Sequence, residues 1–182
     1  MRIISGIHKG RRISAPKNLP VRPTTDQAKE ALFNILGNHF DFSRIIALDL
    51  FSGIGSISLE LGSRGTPQIT AVDRFYKNTV FLKETAGKLN LPLNVIKADV
   101  FDFLKTHSQQ YDLIFADPPY EFSVEELFNL VNLVFNQNLL SASGLFIIEH
   151  SKHKKMPENP YLLEERRYGS AAFSFYSPSQ ST

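Results

Sequence analysis

From residue 44 onward the chain alternates short, unbroken apolar runs with stretches of helical periodicity, a pattern that few architectures accommodate. The runs at 45–50, 69–72, 93–96, 113–116 and 145–148 read as strands with no polar face, so both of their sides must be covered. Helices fit between them at 55–63, 76–90 and 124–135; in the last, Val124, Leu127, Phe128, Val131, Val134 and Phe135 fall on one side. Strands regularly separated by helices predict a doubly wound α/β fold with a mostly parallel sheet. The end departs from this rhythm. Residues 161–167 and 172–176, joined through Tyr168-Gly169-Ser170, predict an antiparallel hairpin that brings the sheet to seven strands.

Ahead of the alternating region, residues 2–5 and 11–15 flank the turn-forming His8-Lys9-Gly10 and predict a small hairpin. Pro16, Pro20 and Pro23 keep the chain extended, and Thr24 with Gln27 predicts a capped helix start. Ala28, Ala31, Leu32, Ile35 and Leu36 then recur at helical spacing as an expected buried stripe. The expected organisation is an N-terminal extension over 1–43, an α/β domain over 44–176 and a disordered tail over 177–182.

Charge is unevenly placed. Residues 1–25 hold Arg2, Lys9, Arg11, Arg12, Lys17 and Arg22 without one acid, whereas the whole chain has 20 basic and 18 acidic groups. Such an arm attracts polyanions, with a solvated face or an organelle-targeting segment as the alternatives. The absence of cysteine excludes disulfides, thiolate metal sites and cysteine nucleophiles. No apolar stretch is long enough to span a bilayer and no secretory signal is visible, so a cytoplasmic protein with no membrane association is expected.

Ligands of doubly wound sheets bind beyond the carboxyl ends of the strands. Four successive predicted strands deliver a carboxylate there: Asp49, Asp73, Asp99 and Asp117. Crowded carboxylates are costly unless a ligand or backbone donors use them. Gly53 and Gly55 form a turn leading into a helix, and Asp73 follows Gly53 at the spacing where an acid takes ribose hydroxyls. Ser58 stands where a dinucleotide fingerprint has its third glycine. With Asp49 beside the turn, a pyrophosphate is disfavoured, and an adenosine carrying a cationic tail fits better.

Asp117-Pro118-Pro119-Tyr120 is the most specific signal. Two prolines fix φ and remove two N–H groups, so the nearby carbonyls are rigid acceptors. With the Asp117 carboxylate and the Tyr120 ring, they form a clamp for a planar group bearing an exocyclic NH₂. Hydrogen bonds from that amine free its lone pair to attack an electrophile, and positioning supplies most of the rate.

The segments DLFSGIGSIS, AVDR, KADVF and DPPY, in this order, resemble the Rossmann-like S-adenosylmethionine-dependent methyltransferases. The basic hairpin, RPTTDQAKEALFNIL and the C-terminal RRYGSAAFSFY narrow the resemblance to the RsmD-type enzymes, which methylate the N2 amino group of one guanine in 16S rRNA. The first motif is bulkier than the usual FAGSGALG-like run, with Ile54 and Ile57. The resemblance implies that Asp49, Phe51, Gly53 and Gly55 hold the methionine end of S-adenosyl-L-methionine and Asp73 the ribose. It implies that Asp99 takes the adenine amino group with a backbone contact from Val100, and that Thr25, with Thr24, closes over the cofactor's carboxylate. Asp117, Pro118, Pro119 and Tyr120 become the catalytic clamp, and Lys9, Arg11, Arg12 and Arg22 contact phosphates of 16S rRNA or a small-subunit particle. A monomer is expected.

Other features read more plainly. His150 and His153 form a second basic loop rather than a metal site, because the flanking lysines repel a cation. Asp102 reads as a helix start and Asp112 as a surface acid. Phe122, just past the clamp, is the aromatic to watch, and Glu149 is either functional or structural. The competing functions are DNA adenine-N6 methylation, a non-catalytic RNA-binding assembly module and a dehydrogenase. The chain lacks room for a separate target-recognition domain, the clamp is intact, and Ser58 disfavours the last.

Overall fold

The computed structural model describes residues 1–15 and 25–178; the expected Pro16–Pro23 linker, Thr24 and Arg22 lie outside the described residues. Seven strands form one sheet: β1 Ile46–Leu50, β2 Gln68–Asp73, β3 Leu93–Lys97, β4 Tyr111–Ala116, β5 Leu140–Ser151, β6 Leu162–Tyr168 and β7 Ala171–Tyr176. Their order is β3-β2-β1-β4-β5-β7-β6. The first five run parallel, and β7 inserts antiparallel between β5 and β6. The expected mixed sheet with a closing hairpin is therefore present. Its turn is Gly169-Ser170, with Gly169 at φ 61°.

Five helices cover this sheet: α1 Asp26–His39, α2 Ser56–Ser63, α3 Tyr76–Lys88, α4 Val100–Thr106 and α5 Val124–Asn136. Alternate residues of the central strands face opposite layers, as a pleated strand requires. Ala47, Leu113, Phe115, Leu145 and Ile147 pack toward α1 and α2, while Leu48, Leu50, Ile114, Phe146 and Ile148 pack toward α4 and α5. Among the described residues no helix is long and apolar enough to cross a membrane.

Several local expectations shift. The N-cap of α1 is Thr25, whose side chain accepts from the Ala28 N–H, one residue beyond the Thr24 of the capping pattern. The buried face of α1 is Ala28, Lys29, Leu32, Phe33 and Leu36, so it is rotated from the expected stripe: Lys29 and Phe33 are inside, Ala31 and Ile35 half-buried. Helix α4 was not expected as an element; Asp99 caps it through Phe101 N and Asp102 N, so Asp102 lies in its first turn rather than at its start. Strand β5 extends three residues past Ile148, which puts His150 in the sheet and not in a loop. It is buried, bonded to Ser174 Oγ and Ser151 O, and burial holds its imidazole below its ordinary pKa. Ser177, expected in a disordered tail, is buried and donates its N–H to Tyr161 O; residues 179–182 lie outside the described residues.

The N-terminal hairpin exists in reduced form, as one antiparallel bridge between Arg2 and Arg12 with flanking backbone bonds from Ile3, Gly10 and Ile13. It lies along α2, held by a buried polar hub. Glu60, fully buried on α2, accepts from Ile4 N, Ser5 N and Arg64 Nε, and its Oε2 lies 3.8 Å from Lys29 Nζ. Lys29 also donates to Arg2 O. At the hairpin tip, Ile7 N and His8 N bond to Ser63, and His8 Nε2 lies 2.9 Å from Leu89 O. Gly6 is required here: a Cβ on it would sit 1.8 Å from the Ser63 carbonyl oxygen.

Candidate active site

The carboxyl ends of β1, β2 and β4 open onto a cavity of about 680 Å³, a size that takes a nucleoside-bearing ligand. Asp49, Phe51, Gly53, Asp73, Asp99, Val100 and the whole Asp117–Tyr120 segment line it. The four strand-end carboxylates of the sequence reading thus come together. With Glu121 they make five acids on the wall against one base, Arg74. Such a wall favours a cationic ligand and repels a pyrophosphate.

Each acid is held differently. Asp49 is buried on β1 and accepts from both the N–H and the hydroxyl of Ser58, the N–H at 3.0 Å. Ser58 is therefore the partner of Asp49 and not only an absent glycine. Burial pushes the Asp49 carboxyl up to about 7; the Ser58 bonds oppose the rise and the nearby Asp73 adds to it. Asp73 accepts from Gly53 N and Phe75 N, both at 2.8 Å, and from Asn78 Nδ2 at 3.3 Å. Oδ1 is filled, and Oδ2 keeps one lone pair for a further donor. Asp99 spends Oδ1 on its helix cap.

The turn between β1 and α2 is shaped by packing as much as by approach. Gly55 is at φ 82°, and a Cβ there would come 2.2 Å from Leu82 Cδ1 of α3. Phe51 takes a left-handed φ of 59°, a strained conformation for a non-glycine residue, and places its ring edge-on to Phe122 at 5.5 Å. Phe122 stacks in turn on Phe101 at 6.0 Å, so the aromatic beyond the clamp belongs to this cavity's wall.

The clamp itself is a rigid corner. Asp117 N bonds to Leu50 O, and Phe122 N closes a turn onto Pro119 O. Lys154, from the loop after β5, donates to both Tyr120 O and Phe122 O and ties that corner down. The Pro118 carbonyl accepts no hydrogen bond from the described residues. On the other side of the corner lies a second cavity of about 380 Å³, which shares Asp117 and Tyr120 with the first and adds Glu149, Thr25 and the β6–β7 turn. Thr25, expected over the cofactor's carboxylate, lines this second cavity and not the first; its place as the α1 N-cap puts it there. Lys9, Arg11 and Arg12 lie on the hairpin outside both cavities, and Arg22 lies outside the described residues. No group of residues fit to hold a metal occurs among the described residues.

A family model described as conserved hypothetical protein 95 matches residues 1–177. The Haemophilus influenzae ribosomal RNA small subunit methyltransferase D is 32% identical over 97% of this chain and 93% of its own. The chain belongs to the RsmD family of S-adenosylmethionine-dependent methyltransferases. A solved hypothetical protein from Thermus thermophilus superposes with a TM-score of 0.85 at 27% identity, covering 97% of this chain and 99% of that one. The Thermus thermophilus 16S rRNA N2 G1207 methyltransferase, solved with AdoMet and guanosine, gives a TM-score of 0.64. It is 18% identical, with 88% of this chain and 45% of that one covered, and shows the shared fold.

The cavity fits the cofactor of an RsmD-family enzyme. Ser52 Oγ, Ser56 Oγ and Asn78 Oδ1 are buried without a hydrogen-bond partner, and all three residues line the first cavity. Buried polar groups left open in this way are positions for ligand atoms. Sequence reasoning passed over these three, as well as Arg74 and Lys154. The clustering of polar side chains around Gly53-Ile54-Gly55 was the one signal for two of them.

Proposed function

We propose that this RsmD-family enzyme transfers the methyl group of S-adenosylmethionine to the exocyclic N2 amino group of a guanine in 16S rRNA, acting as a cytoplasmic monomer on rRNA or a small-subunit particle. The observation that carries the reading is the Asp117–Tyr120 corner standing as the shared wall of two cavities, one acidic and one facing the basic extension. In this reading Asp49, Phe51, Gly53 and Gly55 hold the methionine end, Asp73 Oδ2 takes one ribose hydroxyl, and Asp99 and Val100 hold the adenine.

When bound, S-adenosylmethionine supplies an electrophilic methyl on a sulfonium sulfur and leaves as the neutral thioether. The chain's own part is positioning. A flipped guanine stacks on Tyr120, its N2 hydrogens shared between Asp117 and the Pro118 carbonyl. Those bonds turn the nitrogen lone pair toward the first cavity, and Asp117 or solvent receives the N2 proton after attack. Tying the corner through Lys154 keeps the two acceptors fixed.

Lys9, Arg11 and Arg12 contact RNA phosphates. The hairpin tip is held at the carboxyl ends of α2 and α3, whose amino ends border the first cavity. An eight-residue helix is about 12 Å long, so an RNA touching both must extend well past the target base. A folded rRNA fits that footprint better than an isolated nucleotide.

The test is methyl transfer from labelled S-adenosylmethionine to 16S rRNA, small-subunit particles, duplex DNA and cell protein, followed by nucleoside analysis. Label in N2-methylguanosine from rRNA or particles supports the reading. Label in N6-methyladenine keeps the clamp and overturns the target.

A further inference from the structure

We propose that Glu149 is the residue that selects guanine, by accepting from the N1–H on the Watson–Crick edge of the target base; this rests on the function proposed above. The second cavity, about 380 Å³, holds two carboxylates, Asp117 and Glu149, with the Tyr120 ring between the two cavities. Ala116 pairs with Ile148, so Asp117 and Glu149 follow side by side on adjacent strands β4 and β5. Glu149 is only 5% exposed, and a carboxylate that buried must meet donors.

Two adjacent carboxylates demand two adjacent donors from a base. Guanine offers them, with N1–H next to the N2 amino group. Adenine and cytosine each set a ring-nitrogen acceptor beside their amine, and that acceptor would face the Glu149 carboxylate. A site built to accept from a substrate N–H rejects an analogue lacking it by orders of magnitude, because the buried acceptor is left unpaired. Asp117 serves the amine common to all three bases; Glu149 separates them. Arg167 lines the same cavity and offers guanidinium donors toward the opposite, acceptor-rich edge of guanine.

The experiment compares full-length wild type, Glu149→Gln and Glu149→Asp. Methyl transfer to unmodified small-subunit particles is measured, with S-adenosylmethionine affinity and the binding of guanosine against 2-aminopurine riboside. Both nucleosides carry the 2-amino group, but only guanosine has N1–H. Wild type prefers guanosine at least tenfold. Glu149→Gln, whose amide can donate to the bare N1, loses that preference and about a hundredfold in kcat/KM, with cofactor affinity unchanged. Glu149→Asp recovers part of both. A purely structural role would lower both nucleosides alike. Equal binding of the two by wild type, or an undiminished preference in Glu149→Gln, overturns the assignment to Glu149. Absence of N2-methylguanosine from wild-type reactions instead overturns the function on which it rests.

Discussion

Glu60 and Asp49 are both buried carboxylates on successive elements, yet the protein treats them in opposite ways. Glu60 receives two backbone N–H groups, the Arg64 guanidinium and a nearby Lys29 ammonium, all from within the chain. Its charge is answered internally, and the result is a staple that holds the N-terminal hairpin on α2 and α1. Asp49 receives only neutral donors from Ser58, sits near a second acid and is pushed up to about 7 by burial. Its charge is answered from outside, by a cationic ligand. A buried acid that the protein leaves uncompensated marks the ligand edge; one that it saturates marks a joint.

The largest effect that separates the two is on stability. Glu60→Ala leaves the Lys29 ammonium and two backbone N–H groups buried without their acceptor, and should destabilise the fold by about 3–5 kcal/mol in urea unfolding. The pair Glu60→Gln with Lys29→Met should recover much of that loss, because the uncompensated charge is gone. An undisturbed Glu60→Ala would show that Glu60 is no staple.

On the ligand side, Asp117→Ala should lower kcat by at least about a hundredfold, or roughly 2.7 kcal/mol, with S-adenosylmethionine affinity nearly unchanged. Asp49→Asn should show the reverse split, weakening the cofactor about tenfold while leaving the folded state as stable or more stable. Titration calorimetry and single-turnover kinetics together distinguish the two.

The pH dependence follows from the raised Asp49 value. The folded carboxyl titrates at about 7 against 3.8 for an ordinary one, so the folded state holds this proton more tightly. Its stabilising contribution is complete below about 3.8 and is lost as pH rises through about 7. A cationic cofactor favours the ionised form, so binding between about pH 5.5 and 7 should release a proton and tighten as pH rises. Calorimetry in buffers of different ionisation enthalpy reads this, and Asp49→Asn should abolish it.

The smallest effect concerns the corner. Lys154→Met removes its tie to Tyr120 O and Phe122 O and should lower kcat about tenfold with little change in cofactor affinity.

What could be read from the sequence follows the same division. The strand-end acids Asp49, Asp73, Asp99 and Asp117 were legible, because strand periodicity and topology alone bring them to one edge. The apolar runs located the five parallel strands, since burial on two faces leaves an unbroken signature, and the turn at Gly169-Ser170 located the closing hairpin. Lys29 and Glu60 were not legible: their meaning is a contact between residues 31 apart on different helices, and each looks like a solvated charge on its own. Lys154 was hidden for the same reason among exposed lysines, its carbonyl partners being 32 and 34 residues away. Helix α4 escaped because seven residues are too few to show a period, although Asp99 was noticed as an acid rather than as a cap. The second cavity has no sequence signature, since α1, β5 and the β6–β7 turn assemble it from distant segments.

The most direct test of the division between the two cavities is a crystal structure of the full chain with S-adenosylmethionine. The account predicts the cofactor in the larger cavity, its ribose on Asp73, its charged end near Asp49 and its methyl group directed past Pro118 toward the cavity of Glu149. A cofactor seated in the smaller cavity, or bound with Asp49 and Asp73 both out of contact, would contradict it.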